Sequence, residues 1–193
     1  MACLPMNMAR RILKGISSNK PIPEGSWKMK VFRVAVDSSC LIGLAQIEQF
    51  KLLKELFSGV YIPDAVYNEV VVKGKGEAGS KEIGSAVKDG WLLKKAVTDN
   101  VAVSALTTVL GKGESEVIIL CKELGLDYAL IDEKTARNMA EIMSINTMGV
   151  LGIIDLAIKK GFPIDKKKAI DVLIYFGFRI SDKLHKKMCP SSE

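Results

Sequence analysis

Val31-Phe32-Arg33-Val34-Ala35-Val36-Asp37-Ser38-Ser39 is the stretch on which the reading of this chain turns. Apart from Arg33, the run to Val36 is β-branched, aromatic or small, as a strand buried on both faces of a parallel sheet must be. Asp37 closes it. Ser38 and Ser39 follow, and their hydroxyls can cap a helix or hold a carboxylate in place. A strand, an acid at its carboxyl end and an immediate helix begin an α/β unit. Ligands of such folds gather beyond the carboxyl ends of the strands.

The same alternation continues downstream. Residues 39–47 and 50–57 are apolar at helical spacing, and Gly59 stops them. Residues 60–62 form a short strand. Pro63 suits a first helical turn, and 64–71 continue as helix. Residues 73–79 are a glycine-rich loop, 81–88 a helix and 91–97 a third strand. A helix over 104–110 is broken by Gly111-Lys112-Gly113. Residues 114–124 are amphipathic, with Val117, Ile118, Leu120, Cys121 and Leu124 inward and Gly125 as cap. A fourth strand covers 128–131, a helix 134–143, a turn with a short strand 146–149, and a helix 151–160. Two tail helices cover 163–176 and 181–187, with Ile164, Ile170, Leu173, Ile174 and Phe178 packing back on the body.

The pattern predicts an α/β fold, a three-layer α/β/α sandwich around a central parallel sheet, plus C-terminal helices. Residues 1–29 read as a basic, flexible extension (or as sequence ahead of a translation start near Met29). Residues 30–161 read as the folded domain, and 162–193 as a helical tail packed on it.

Composition narrows the chemistry. A chain of 193 residues with 48% hydrophobic content can bury one sizeable core. Charges interrupt every long apolar stretch, and no secretory core is present, so the expected location is cytoplasmic, with no membrane span. The net charge of +6 points to a polyanionic partner or simply to a lysine-rich surface. Cys3, Cys40, Cys121 and Cys189 lack zinc or thioredoxin spacing. Cys40 and Cys121 read as small buried residues in a reducing compartment. The one histidine, His185, sits in a lysine-rich tail, which argues against Ser-His-Asp, Cys-His and His-ligated zinc chemistry together. Gly111-Lys112-Gly113-Glu114-Ser115 is no Walker loop, and neither a dinucleotide fingerprint nor an EF-hand spacing occurs. Lys166-Lys167-Lys168 and Lys186-Lys187 read as solvated helix faces. Phe162, Phe176 and Phe178 read as core rather than base-stacking platforms.

The acids carry the functional reading. Asp37 ends the first strand, and Asp132 with Glu133 ends the fourth. Glu114 and Glu116 open the helix before that strand, and Glu69 lies in the helix after the second. Singly, each has a plain structural use, such as a helix cap or a first-turn acid. Jointly, a parallel sheet brings several of them to one edge, where crowded carboxylates make physical sense around a bound cation. An oxygen-only set without histidine or cysteine selects Mg²⁺ or Mn²⁺. Such an ion suits hydrolysis of a nucleic-acid backbone, which a basic surface would attract.

These residues resemble the motifs of PIN-domain nucleases. Val34-Ala35-Val36-Asp37-Ser38-Ser39-Cys40-Leu41-Ile42 is similar to the family's opening strand and aspartate. Tyr61-Ile62-Pro63 with Val66 and Glu69 is similar to its proline-led helix bearing a glutamate. Gly113-Glu114-Ser115-Glu116-Val117-Ile118-Ile119-Leu120 resembles its third motif, and Leu130-Ile131-Asp132-Glu133-Lys134 its fourth. Gly177-Phe178-Arg179-Ile180-Ser181 resembles a PIN-like branch known only as predicted nucleic-acid binding.

The resemblance implies a metal-dependent endoribonuclease of the VapC toxin type, held inactive by a small antitoxin protein and often forming a homodimer. The apolar helix pair over 41–57 is the expected docking face for that antitoxin. RNA is the implied partner, with other single-stranded nucleic acid as a further substrate class. Carried across, the catalytic residues and ligands are Asp37, Glu69, Glu116 and either Asp132 or Glu133, because Glu116 directly precedes the Val-Ile-Ile-Leu run. Ser38 and Glu114 would support them. Arg137 would orient a phosphate or pair with Glu133. The third position usually holds aspartate, and the usual further acid after the fourth is replaced by Thr135. Two other readings use the same strand end: a nucleic-acid-binding module without catalysis, and a phosphoacceptor switch, whose preceding acidic pair is missing.

Overall fold

The computed structural model describes residues 32–179. The expected arm over 1–29, Cys3, His185, Cys189 and the second tail helix over 181–187 lie outside these residues.

Five strands form one parallel sheet: β1 (Arg33–Val36), β2 (Gly59–Pro63), β3 (Leu92–Lys95), β4 (Tyr128–Leu130) and β5 (Asn146–Met148). Their order is β3-β2-β1-β4-β5. The chain therefore winds one way from β1 and the other way through β4 and β5, and the strand order reverses between β1 and β4. Val34, Ala35 and Val36 are fully buried although their side chains alternate in direction, because helices cover both faces. This is the expected three-layer α/β sandwich.

The helices are α1 (Ser38–Gln46), α2 (Leu52–Leu56), α3 (Asp64–Tyr67), α4 (Ser80–Lys88), α5 (Asn100–Leu106), α6 (Lys112–Leu124), α7 (Lys134–Ile142), α8 (Val150–Lys159) and α9 (Lys166–Tyr175). α3 runs on into a wider π turn over Asn68–Lys73. α6 is central: Val117, Ile118, Leu120 and Cys121 are buried along one side. Each such aliphatic side chain stabilises the fold by about 1.5–3 kcal/mol. Gly125 ends α6 with φ 57°, and the Leu126 N–H donates back to Cys121 O at 3.0 Å.

Several boundaries differ from the sequence expectation, each for a local reason. The helix expected over 104–110 is α5, which starts earlier because Asp99 accepts from Ala102 N at 2.9 Å. Thr107 and Thr108 hydroxyls bond back to Ser104 and Ala105 carbonyls at its end. The first tail helix starts at Lys166 rather than 163, because Asp165 caps it through Lys168 N at 3.0 Å. Ile170 and Leu173 are buried as expected, whereas Ile174 and Phe176 are 43% and 40% exposed and do not belong to the core. Phe178 does pack back. It lies on α1 at Gly43, where an added Cβ would come within 2.6 Å of the ring.

The apolar residues over 41–57 are not a free docking face. Leu41, Leu44, Ile47 and Leu53 are fully buried in this chain's own core. Among the described residues, no helix is long and apolar enough to cross a membrane.

Candidate active site

The reversal of strand order opens a crevice at the carboxyl ends of β1 and β4. Asp37 sits directly in it, its N–H donating to Leu130 O at 3.0 Å. Asp37 is only 3% exposed. Its Oδ2 caps α1, accepting from Ser39 N at 3.3 Å and Ser39 Oγ at 2.7 Å. Ser38 Oγ lies 3.4 Å from the other oxygen, Oδ1. Hydrogen bonds and the positive end of the helix dipole thus hold a buried carboxylate that makes no ion pair among the described residues.

A cavity of about 830 Å³ opens over Asp37. Its walls carry Ser38, Ser39, Asn68, Glu69, Lys73, Lys112, Gly113, Glu114 and Glu133. Glu69 comes from the π turn, where Gly74 N donates to Glu69 O at 2.9 Å. Glu114 lies in the first turn of α6, its Oε2 accepting from Gly111 N at 2.9 Å. Glu133 is the N-cap of α7, its Oε2 accepting from Ala136 N at 2.7 Å.

Gly113 lies beside the two central acids. A Cβ there would lie 3.3 Å from Glu69 Oε2 and 3.5 Å from Asp37 Oδ1. The missing side chain therefore leaves a space that two carboxylates face. Burial pushes the Glu114 carboxyl above its ordinary range. The Gly111 N–H opposes that shift, and the like charges of Asp37, Glu133 and Glu69 add to it. Four acids remote in sequence thus act on one another across this cavity.

Glu116 and Asp132 do not line it. Glu116 is 8% exposed, and its Oε2 accepts from Ala65 N at 2.8 Å, capping α3 from across the crevice. Its Oε1 lies 3.7 Å from Lys112 Nζ. Asp132 turns toward α8. Its Oδ1 accepts from Val150 N at 3.1 Å, and its Oδ2 from the Cys40 thiol at 3.1 Å. Gly149 has no room for a Cβ beside that carboxylate. Burial raises the Asp132 carboxyl, against its bonds to Cys40 and Val150. Burial, then the charges of Asp132 and Asp37, push the Cys40 thiol well above its ordinary range. Arg137 Nη1 donates to Asp132 O at 2.9 Å, so the side chain serves the backbone here and makes no ion pair with Glu133.

Gly113, Gly149, Cys40 and Lys73 are roles that the sequence reading did not assign. By sequence, Gly113 reads as part of a helix breaker, Gly149 as a turn residue and Cys40 as a small buried residue. Only for Gly113 did a signal exist: a glycine flanked by an acid motif at a strand-end helix is a place for close approach.

The donor chemistry fits a hard divalent cation. Every candidate donor is oxygen, a side-chain-free space lies between two of them, and the acids repel one another when no cation is present. Among the described residues, no three acidic, histidine or cysteine side chains are already placed to hold one ion. Glu69 is exposed, so it is free to change rotamer. A family model for the PIN domain, a nuclease fold, matches residues 33–193. No curated protein matches the chain.

Proposed function

The chain belongs to the PIN-domain family, and on that premise we propose that it is a metal-dependent endoribonuclease. The observation that carries this reading is the pair of carboxylate oxygens, from Asp37 and Glu69, facing the bare Gly113 in a cavity also lined by Glu114 and Glu133. Asp37, Glu69, Glu114 and Glu133 would hold Mg²⁺ or Mn²⁺. When bound, the ion polarises a phosphodiester and makes a nearby water acidic enough to attack it.

The protein's own part is to hold the acids ready. Ser39 fixes one oxygen of Asp37, Gly111 one of Glu114 and Ala136 one of Glu133. Glu116 and Asp132 act a layer further out. Glu116 anchors the start of α3, which carries Glu69 onward, and Asp132 ties the end of β4 to α8 and α1. Anchoring one oxygen of each of Asp37, Glu114 and Glu133 limits the rearrangement needed to close around an ion.

The wider biology follows from the same reading: a toxin-like regulator acting on RNA in the cytoplasm, restrained by a small antitoxin protein and working as a homodimer. The test is cleavage of single-stranded RNA, with DNA in parallel, across Mg²⁺ and Mn²⁺ concentrations. Asp37→Asn keeps shape and removes charge, so it should abolish cleavage without unfolding the protein. Retained metal-dependent cleavage in that variant rejects the assignment.

One observation favours a second reading, a nucleic-acid-binding module on the same fold. No three of the described acids are yet poised around one ion. That reading expects salt-sensitive RNA binding and no cleavage at any Mn²⁺ concentration.

A further inference from the structure

The cavity also carries two cations. Lys73 closes the π turn on one wall, and Lys112 opens α6 on the other. We propose that Lys73 and Lys112 are the phosphate clamp of this site, holding the RNA phosphates on either side of the one over the acidic floor. The proposal rests on the nucleic-acid reading above and adds the residues that position the substrate.

Asn68, Glu69, Val72 and Lys73 share the cavity wall. Glu69 and Lys73 are four residues apart, so their side chains lie on one side of the helix, and the i to i+5 bond from Gly74 N to Glu69 O closes the turn just beyond them. Gly74 allows the turn to end there, since a Cβ at that position would lie 2.7 Å from Val70 O. The wall thus presents an acid beside the floor, then a cation further along.

Neither lysine is committed elsewhere. Lys73 makes no ion pair among the described residues. Lys112 is 73% exposed, and its contact with Glu116 is long, at 3.7 Å. An exposed pair of that kind contributes about 0–1 kcal/mol, so a phosphate displaces it readily. By contrast, Lys94 and Lys166 are paired closely with Asp64 and Asp155, at 3.1 and 2.7 Å. A floor of four carboxylates repels a polyanion, and two flanking ammonium groups supply attraction where the strand enters and leaves. Phosphate contacts of this kind fix register without reading bases, so the clamp implies broad sequence tolerance.

The experiment uses the full-length protein and a fluorescein-labelled single-stranded oligoribonucleotide of mixed sequence. Binding is measured across KCl concentrations for wild type, Lys73→Gln, Lys112→Gln and the double variant. Lys159→Gln, away from the cavity, is the control, and thermal melts verify folding. Each clamp variant should lower the slope of log affinity against log salt by about 0.7, and the pair by about twice that. In cleavage assays, KM should rise roughly tenfold while kcat stays within a factor of about two. Lys73→Arg should keep the wild-type slope.

If both single variants keep wild-type slope and KM while wild type cleaves, the clamp is overturned and the nuclease reading survives. If no variant cleaves, wild type included, but the slopes fall as stated, the clamp stands and the nuclease reading fails. Absence of salt-dependent RNA binding in wild type overturns both.

Discussion

Gly113→Ala separates the function of the cavity from its stability. Gly113 is the second residue of α6, and its φ is not left-handed, so alanine suits the backbone. Replacing a helical glycine by alanine stabilises by up to about 1 kcal/mol. The new methyl would meet Glu69 Oε2 at 3.3 Å, Val66 Cγ2 at 3.4 Å and Asp37 Oδ1 at 3.5 Å. Only the first contact is tight, and the exposed Glu69 side chain can move a few tenths of an ångström. The net change in stability should therefore lie between about zero and +1 kcal/mol, or up to about 4 °C in Tm for a domain of this size.

The same methyl fills the space that the two carboxylates face. It should weaken Mn²⁺ binding, measured by calorimetry, and lower RNA cleavage by about tenfold or more, since displacing reacting groups by roughly 1 Å costs about 100-fold and the shift here is a few tenths of that. A variant that melts at or above wild type but neither binds Mn²⁺ nor cleaves RNA supports the reasoning. A Gly113→Ala protein that keeps Mn²⁺ affinity and cleavage within a factor of about three places the ion elsewhere. One that fails to fold shows the methyl is not accommodated, and refutes the steric argument.

Asp132→Ala should destabilise the protein by about 1–3 kcal/mol, because it strands Val150 N and the Cys40 thiol without an acceptor. Denaturant unfolding measures this, and a neutral result would show that Asp132 holds no structural place. Glu114→Gln tests the electrostatics of the cavity. Burial raises the Glu114 carboxyl, so folding favours its protonated form. That contribution is complete below its ordinary value of 4.5 and is lost as pH rises through the higher folded value. Near neutral pH the ionised group works against folding, so Glu114→Gln should raise Tm there and give no gain below about pH 4. An equal gain at both pH values would show that ionisation is not the cause.

Local patterning made the fold legible. Val34, Ala35 and Val36 announce a doubly covered strand, and Val117, Ile118, Leu120 and Cys121 announce the inner face of a helix that Gly125 closes. These features depend on period and capping within a few residues. Boundaries were less legible where a side chain outside the apolar pattern sets the start, as Asp99 does for α5 and Asp165 for α9. The exposure of Ile174 and Phe176 was not legible, since a helix period says which residues share a face but not how much of that face is covered.

Asp37 could be placed from the sequence alone, because an acid ending an apolar strand has to stand at the sheet's carboxyl edge. The choice between neighbouring acids could not. The family resemblance favours Glu116, yet Glu114 lines the cavity and Glu116 caps α3 at Ala65, 51 residues away. Asp132 and Glu133 divide in the same way, because Val150, 18 residues on, takes the carboxylate of Asp132. Adjacent residues on a strand end or a helix's first turn point in different directions. Which one faces the crevice depends on whose N–H groups lie opposite, and only the packing of distant elements sets that.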